Sequence, residues 1–206
     1  MKIFISLLSA GLFLATALTA FGLNEYIFEP EEYLIYSTVI DSWCGQDKTK
    51  EIFIRDHTAI YQSGQPTGWP IETELDYIRK NMLLSDEIII NDFKAKNIKA
   101  YALDSFLNQR ANYTIVSQKE INAIFDHNPY WDKYYQRNPN SEGIITFSRV
   151  GFNQTRDKAL LHVASQWNRA TGAGIYILLS RQKDSSWKVE SELSGWQSWN
   201  RDNPKP

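Results

Sequence analysis

Ile144-Ile145-Thr146-Phe147-Ser148-Arg149-Val150 opens a segment, residues 144–199, in which runs of β-type residues recur between turn signals. This segment decides the fold, because short runs of that composition separated by turns describe an antiparallel meander. Gly151 interrupts the first run and suits either a bulge or a close backbone approach; we favour a bulge that lets the sheet curve. In the second run, 158–167, Ala159, Leu161, Val163 and Trp167 fall on one face and Lys158, His162 and Gln166 on the other. That is the period of two of a half-buried strand. Gly172-Ala173-Gly174 reads as a loop through which the chain re-enters the sheet, and 174–180 is apolar on both faces, as in a central covered strand. Lys183-Asp184-Ser185-Ser186 is a turn. The fourth run alternates Trp187, Val189 and Leu193 against Lys188, Glu190 and Glu192, so one face of the sheet is expected to be oily and the other largely wet.

Working outward toward the N-terminus, the pattern becomes helical. Pro30 with Glu29, Glu31 and Glu32 marks a helix start, Leu34, Ile35, Val39, Ile40 and Trp43 give its apolar surface, and Gly45 fits its end. Residues 51–55 and 113–116 read as short strands. Helices are expected over 73–84, with Thr73 as N-cap, and over 85–96. Leu75, Ile78, Met82 and Ile88-Ile89-Ile90 would face the core. Ser117-Gln118-Lys119-Glu120 is a capping box opening a helix over 118–125, which His127-Asn128-Pro129 stops. An aromatic stretch, Tyr130-Trp131-Asp132-Lys133-Tyr134-Tyr135, then leads back to the meander. The expected class is α+β, with an antiparallel C-terminal sheet packed on several N-terminal helices; this order of elements is also similar to the cystatin and NTF2-like plan, in which a curved sheet wraps a helix and leaves a concave face.

The extreme N-terminus reads as a targeting segment. Lys2 precedes an apolar stretch over 3–18, and small residues follow at Ala20 and Gly22, so residues 1–22 are expected to be a signal peptide and 23–206 a single domain. The alternative is an uncleaved anchor that tethers an accessory protein to the membrane; the stretch is near the lower limit for spanning a bilayer and carries Ser6, Ser9 and Thr16. Loss of Lys2 takes the formal charge from −2 to about −3. No basic patch supports nucleic-acid binding. Cys44, the one cysteine, cannot form an intramolecular disulfide, and its neighbours Val39, Ile40 and Trp43 suit a buried thiol.

Motifs for chemistry are sparse. There is no zinc-ligand spacing, no nucleophile elbow, no phosphate-binding glycine loop and no dinucleotide fingerprint, so neither a metal nor a cofactor is expected. Asp56-His57 and Asp126-His127 place an acid beside a base, but adjacent residues of a strand point to opposite faces. His162 sits in the organising sheet, where Arg149, Tyr176 and Glu190 could lie near it. With seven tryptophans and eleven tyrosines, the chain has the means to stack on a sugar ring or anchor a partner, or to fill its own core. Asn112-Tyr113-Thr114 and Asn153-Gln154-Thr155 match the glycosylation triplet, which the short alanine-rich signal, bacterial in style, makes irrelevant.

Ser148-Arg149-Val150-Gly151-Phe152-Asn153, Ala159-Leu160, Gly172-Ala173-Gly174-Ile175-Tyr176 with Leu178-Leu179, Trp187 and Trp196-Gln197-Ser198 together resemble a family of exported bacterial proteins of uncharacterised role. The resemblance covers the last quarter to third of the chain and extends weakly to 33–58. Some members of that family carry cysteines where this chain has Trp167-Asn168-Arg169-Ala170-Thr171, so no disulfide feature is carried over. The resemblance implies export and a shared sheet, and assigns no catalytic residue.

Two functional expectations follow. One is a non-catalytic protein of the cell envelope, periplasmic or extracellular, that binds a protein, small-molecule or glycan ligand, with no nucleic-acid partner and no stable membrane insertion after cleavage. The other is a hydrolase of unrecognised type, with His162 as general base and Arg149 stabilising an anion.

Overall fold

The computed structural model describes residues 28–44, 51–60, 70–103, 113–125, 131–168 and 171–198. The expected signal segment, the Gly45 helix end, Asp126-His127 with its Asn128-Pro129 stop, Asn112 and Trp199 lie outside the described residues, as does the side chain of Cys44, and so does most of Ser63-Gly64-Gln65-Pro66-Thr67-Gly68-Trp69-Pro70, a turn-rich stretch that reads in the sequence as the best candidate for a domain boundary.

The elements run α1 (Pro30–Cys44), β1 (Glu51–Arg55), α2 (Ile71–Asn81), α3 (Glu87–Lys96), β2 (Tyr113–Val116), α4 (Gln118–Phe125), α5 (Trp131–Arg137), β3 (Ser141–Phe147), β4 (Gly151–Phe152), β5 (Lys158–Gln166), β6 (Gly172–Arg181) and β7 (Trp187–Ser198). The class is α+β, as expected. The meander is present: β3, β5, β6 and β7 pair antiparallel in that order, with β4 beside β5. Unlike the expectation, the sheet does not stop there. β1 pairs in parallel with both β3 and β2, so the order is β2-β1-β3-β5-β6-β7 and the sheet is mixed.

Neither face is wet. On one side α1 lays Ile35, Tyr36, Val39 and Ile40 over Ile54, Phe147, Leu161, Val163, Ile177 and Leu179. Those helix positions are one and four apart, the spacing of a single stripe. Leu34, one step off it, is 49% exposed. On the other side, Leu75 and Ile78 of α2 and Ile89, Ile90 and Phe93 of α3 cover Leu160, Tyr176 and Leu178. Further along that face, α4 and α5 cover Phe53, Val116 and Ile144 through Ile121, Trp131 and Tyr134. With helices on both sides, the comparison with a sheet wrapped round one helix does not hold.

Local corrections have local causes. Thr73 lies inside α2, whose N-cap position is Pro70, while Asp86 caps α3 by accepting hydrogen bonds from the backbone N–H of Ile88 and Ile89. Ile88 faces out at the first turn of α3. Ser117 and Glu120 form the expected capping box: the Ser117 N–H donates to Glu120 Oε2 at 2.8 Å and the Glu120 N–H to Ser117 Oγ at 3.1 Å. Gly151 marks a close approach and not a bulge, because a Cβ there would stand 2.6 to 2.7 Å from Phe93 Cβ, N and Cα. Gly172 and Gly174 lie within β6 itself. In β7, register shifts make Glu190 and Gly195 the extra residues, so Trp187 and Val189 face α1 while Leu193 joins the α2–α3 side.

Candidate functional site

His162 is fixed by the alternation of β5, which turns it toward the α2–α3 side, where its ring centroid is 4.9 Å from that of Tyr176. It is completely buried. A side chain at Gly174 would run into His162 Nε2 and Trp196 Nε1, so glycine there is what lets the two rings close over the strand. Burial lowers the imidazole to a pKa of about 3, so His162 is neutral at ordinary pH.

Arg149 lies on the opposite side of the sheet. Its guanidinium donates to Glu32 from Nε at 2.8 Å and from Nη2 at 2.6 Å, and sits over the rings of Phe28 and Tyr101. Burial alone would lower this guanidinium; the hydrogen bonds and charge of Glu32 outweigh burial and hold it above its ordinary value. The Glu32 carboxylate also accepts from the N–H of Val150 and of Glu29. Glu190 is engaged with Lys158. Of the three neighbours expected for His162, the structure supplies Tyr176 alone, and it does not bring His162 and Arg149 together. The Asp56-His57 pair does close on itself, with Nδ1 2.8 Å from Asp56 Oδ1, because both residues follow the end of β1, outside the alternation of the strand. It is exposed.

A cavity lies at the far end of α1 from Arg149. It measures about 250 Å³ and is lined by Trp43, Glu51, Ile52, Glu142, Gly143, Ile145, Val163, Ser165, Trp167, Ala173 and Ile175. Its origin is visible in the strand register. Ser165 of β5 stands between Ile145 of β3 and Ala173 of β6, so the inward row that carries Leu161 and Val163 is followed by one with two small side chains. α1 reaches this row at Trp43, leaving space between helix and sheet. Trp167 forms the other aromatic side. Gly143, at φ 108°, lets Trp167 approach, since a Cβ there would meet Trp167 Cδ1 at 2.9 Å. Tyr135 anchors the same turn by donating its hydroxyl to the Trp167 carbonyl at 3.0 Å; burial, assisted by Glu142, pushes that phenol up to about 12.

No family model matches the chain, and neither a curated protein nor a solved structure matches it. Geometry alone therefore describes the site. The floor is hydrocarbon, the sides are indole, and among the described residues the charged lining side chains, Glu51 and Glu142, are acidic and exposed. Such a site can hold a small, largely apolar ligand and orient a polar group at its rim. Among the described residues, no group of three or more His, Cys, Asp or Glu side chains is placed to hold a metal ion, and no helix is long and apolar enough to cross a membrane.

The sequence motifs single out His162 and Arg149, neither of which lines this pocket. Its signal was present in one row: Ala159, Leu161, Val163, Ser165, Trp167 places a small polar residue in an apolar series and ends it with an indole. What could not be read was that Ala173 stands beside Ser165, and that Trp43, from a helix more than a hundred residues earlier, closes the space.

Proposed function

We propose that the protein is an exported, non-catalytic binding protein of the cell envelope that takes a small ligand into the pocket between Trp43 and Trp167. The observation that carries this reading is the pocket itself: a cavity of about 250 Å³ with an apolar floor, two partly exposed tryptophans and a polar rim. A volume just below the roughly 300–1,000 Å³ of drug-sized sites suits a small compound or the terminal group of a larger one. Export is supported by the n-region, apolar stretch and small residues of 1–22. The separation of His162 from Arg149 removes the pairing on which the hydrolase reading depended.

The test is a ligand screen by tryptophan fluorescence and calorimetry on the chain and on Ser165→Leu, which fills the cavity. Binding by the parent that is lost in Ser165→Leu supports the reading. A screen of small apolar and amphipathic compounds with no binding, or binding indifferent to Ser165→Leu, overturns it. The mass of the mature N-terminus tests export separately: a chain beginning near residue 21 or 23 supports cleavage, and an intact residue 1 in the membrane fraction supports the tethered alternative.

A further inference from the structure

We infer that the ligand of this pocket is a small organic cation with an apolar body, an ammonium carried on an alkyl or aryl group; the inference rests on the reading of the pocket as a ligand site. Three features select that class. Among the described residues, the charged side chains lining the cavity are Glu51 and Glu142, on adjacent parallel strands, and their carboxylates favour a cation over an anion. Trp43 and Trp167 supply indole rings, the aromatic groups that attract ammonium best. The floor of Ile145, Val163, Ala173 and Ile175 offers no side-chain hydrogen-bonding group, and among the described lining residues Ser165 supplies the one hydroxyl. A sugar seated on such a floor would bury hydroxyls without partners, whereas an alkyl or aryl body loses nothing. The ligand therefore lies with its hydrocarbon on the sheet and its positive charge at the rim.

The experiment compares phenylpropylammonium, phenylpropanol and phenylpropanoate, three probes of one shape and different charge, by calorimetry at neutral pH and low salt. The ammonium is expected to bind at least ~10-fold more tightly than the alcohol, and the carboxylate more weakly than either. Added salt should narrow the gap. In the double variant Glu51→Gln, Glu142→Gln the ammonium should lose its advantage over the alcohol; both positions are exposed, and an unaltered melting temperature verifies the fold. If alcohol and ammonium bind equally in the parent, or if the double variant keeps the preference, the cation inference fails while the pocket stands as an apolar site. If none of the three binds and tryptophan emission does not move, the cation inference is overturned together with the pocket reading.

Discussion

The two ends of α1 solve opposite problems. At its first turn the helix brings Glu32 against Arg149, with side-chain exposures of 0% and 6%, and polar groups converge there: Glu32 accepts from Arg149, Val150 and Glu29, and Asn97 donates to the Arg149 carbonyl and accepts from its N–H. At its last turn Trp43 stands over a space that nothing described fills. A charge taken out of water demands complete satisfaction, so the Glu32 end has to be sealed. A hydrocarbon surface makes no such demand, so the Trp43 end can keep unfilled volume. Complete polar pairing and unfilled apolar volume thus sit at opposite ends of one helix.

The largest effect should come from breaking the sealed end. Arg149→Met leaves Glu32 buried without its charge partner and is expected to destabilise the chain by about 3–5 kcal/mol in urea unfolding, whereas Arg149→Met combined with Glu32→Leu should recover much of that loss. A single variant costing under about 1 kcal/mol would show that the pair does not hold α1 to the sheet.

A second prediction separates burial from pairing through pH. The folded pKa of His162, about 3, lies below the ordinary imidazole value of 6.5, so the unfolded chain binds the extra proton first. Its contribution is fully present above pH 6.5 and is lost as pH falls toward 3. Between pH 6.5 and 4.5, stability should drop by about 2–3 kcal/mol from this group. His162→Leu should flatten that stretch of the curve; an unchanged slope would contradict the assignment.

A smaller loss is expected at the backbone contact beside the sealed end. Gly151→Ala pushes a methyl against the backbone of α3 at Phe93, which should cost about 1–3 kcal/mol. The smallest effect belongs to the open end. Ser165→Leu, which fills the pocket, should change stability by less than about 1.5 kcal/mol in either direction, in contrast to Arg149→Met. Equal losses at both ends would erase the comparison.

What could be read from sequence was local. The strand at β5, the capping box at Ser117 and Glu120, and the helix start at Pro30 each depend on neighbours within a few residues, and each appears where expected, although β5 is buried on both faces and not on one. The missed features join distant positions. Nothing near Glu51 says that β1 pairs in parallel with β3 and β2. Glu32 and Arg149 lie 117 positions apart, and neither residue's neighbours signal a partner. Gly151 is ambiguous until α3 is seen beside it. The alternation of β7 misled for a subtler reason: the extra residue Glu190 moves Leu193 to the opposite face, which a continued period of two cannot represent.

Those interruptions in β7 have a second effect. β7 is the last strand of the sheet, so one side of its backbone has no strand beside it among those described. A long, even edge of that kind is a template on which a second molecule can add its own strand. Glu190 and Gly195 break the edge into shorter pieces out of step with one another, and Lys188, Glu190 and Glu192 place charge along it. An incoming strand would lose its hydrogen-bond register at each interruption and meet that charge while doing so. The same irregularity that lets β7 serve both layers therefore protects the sheet from growing into an aggregate at its exposed margin.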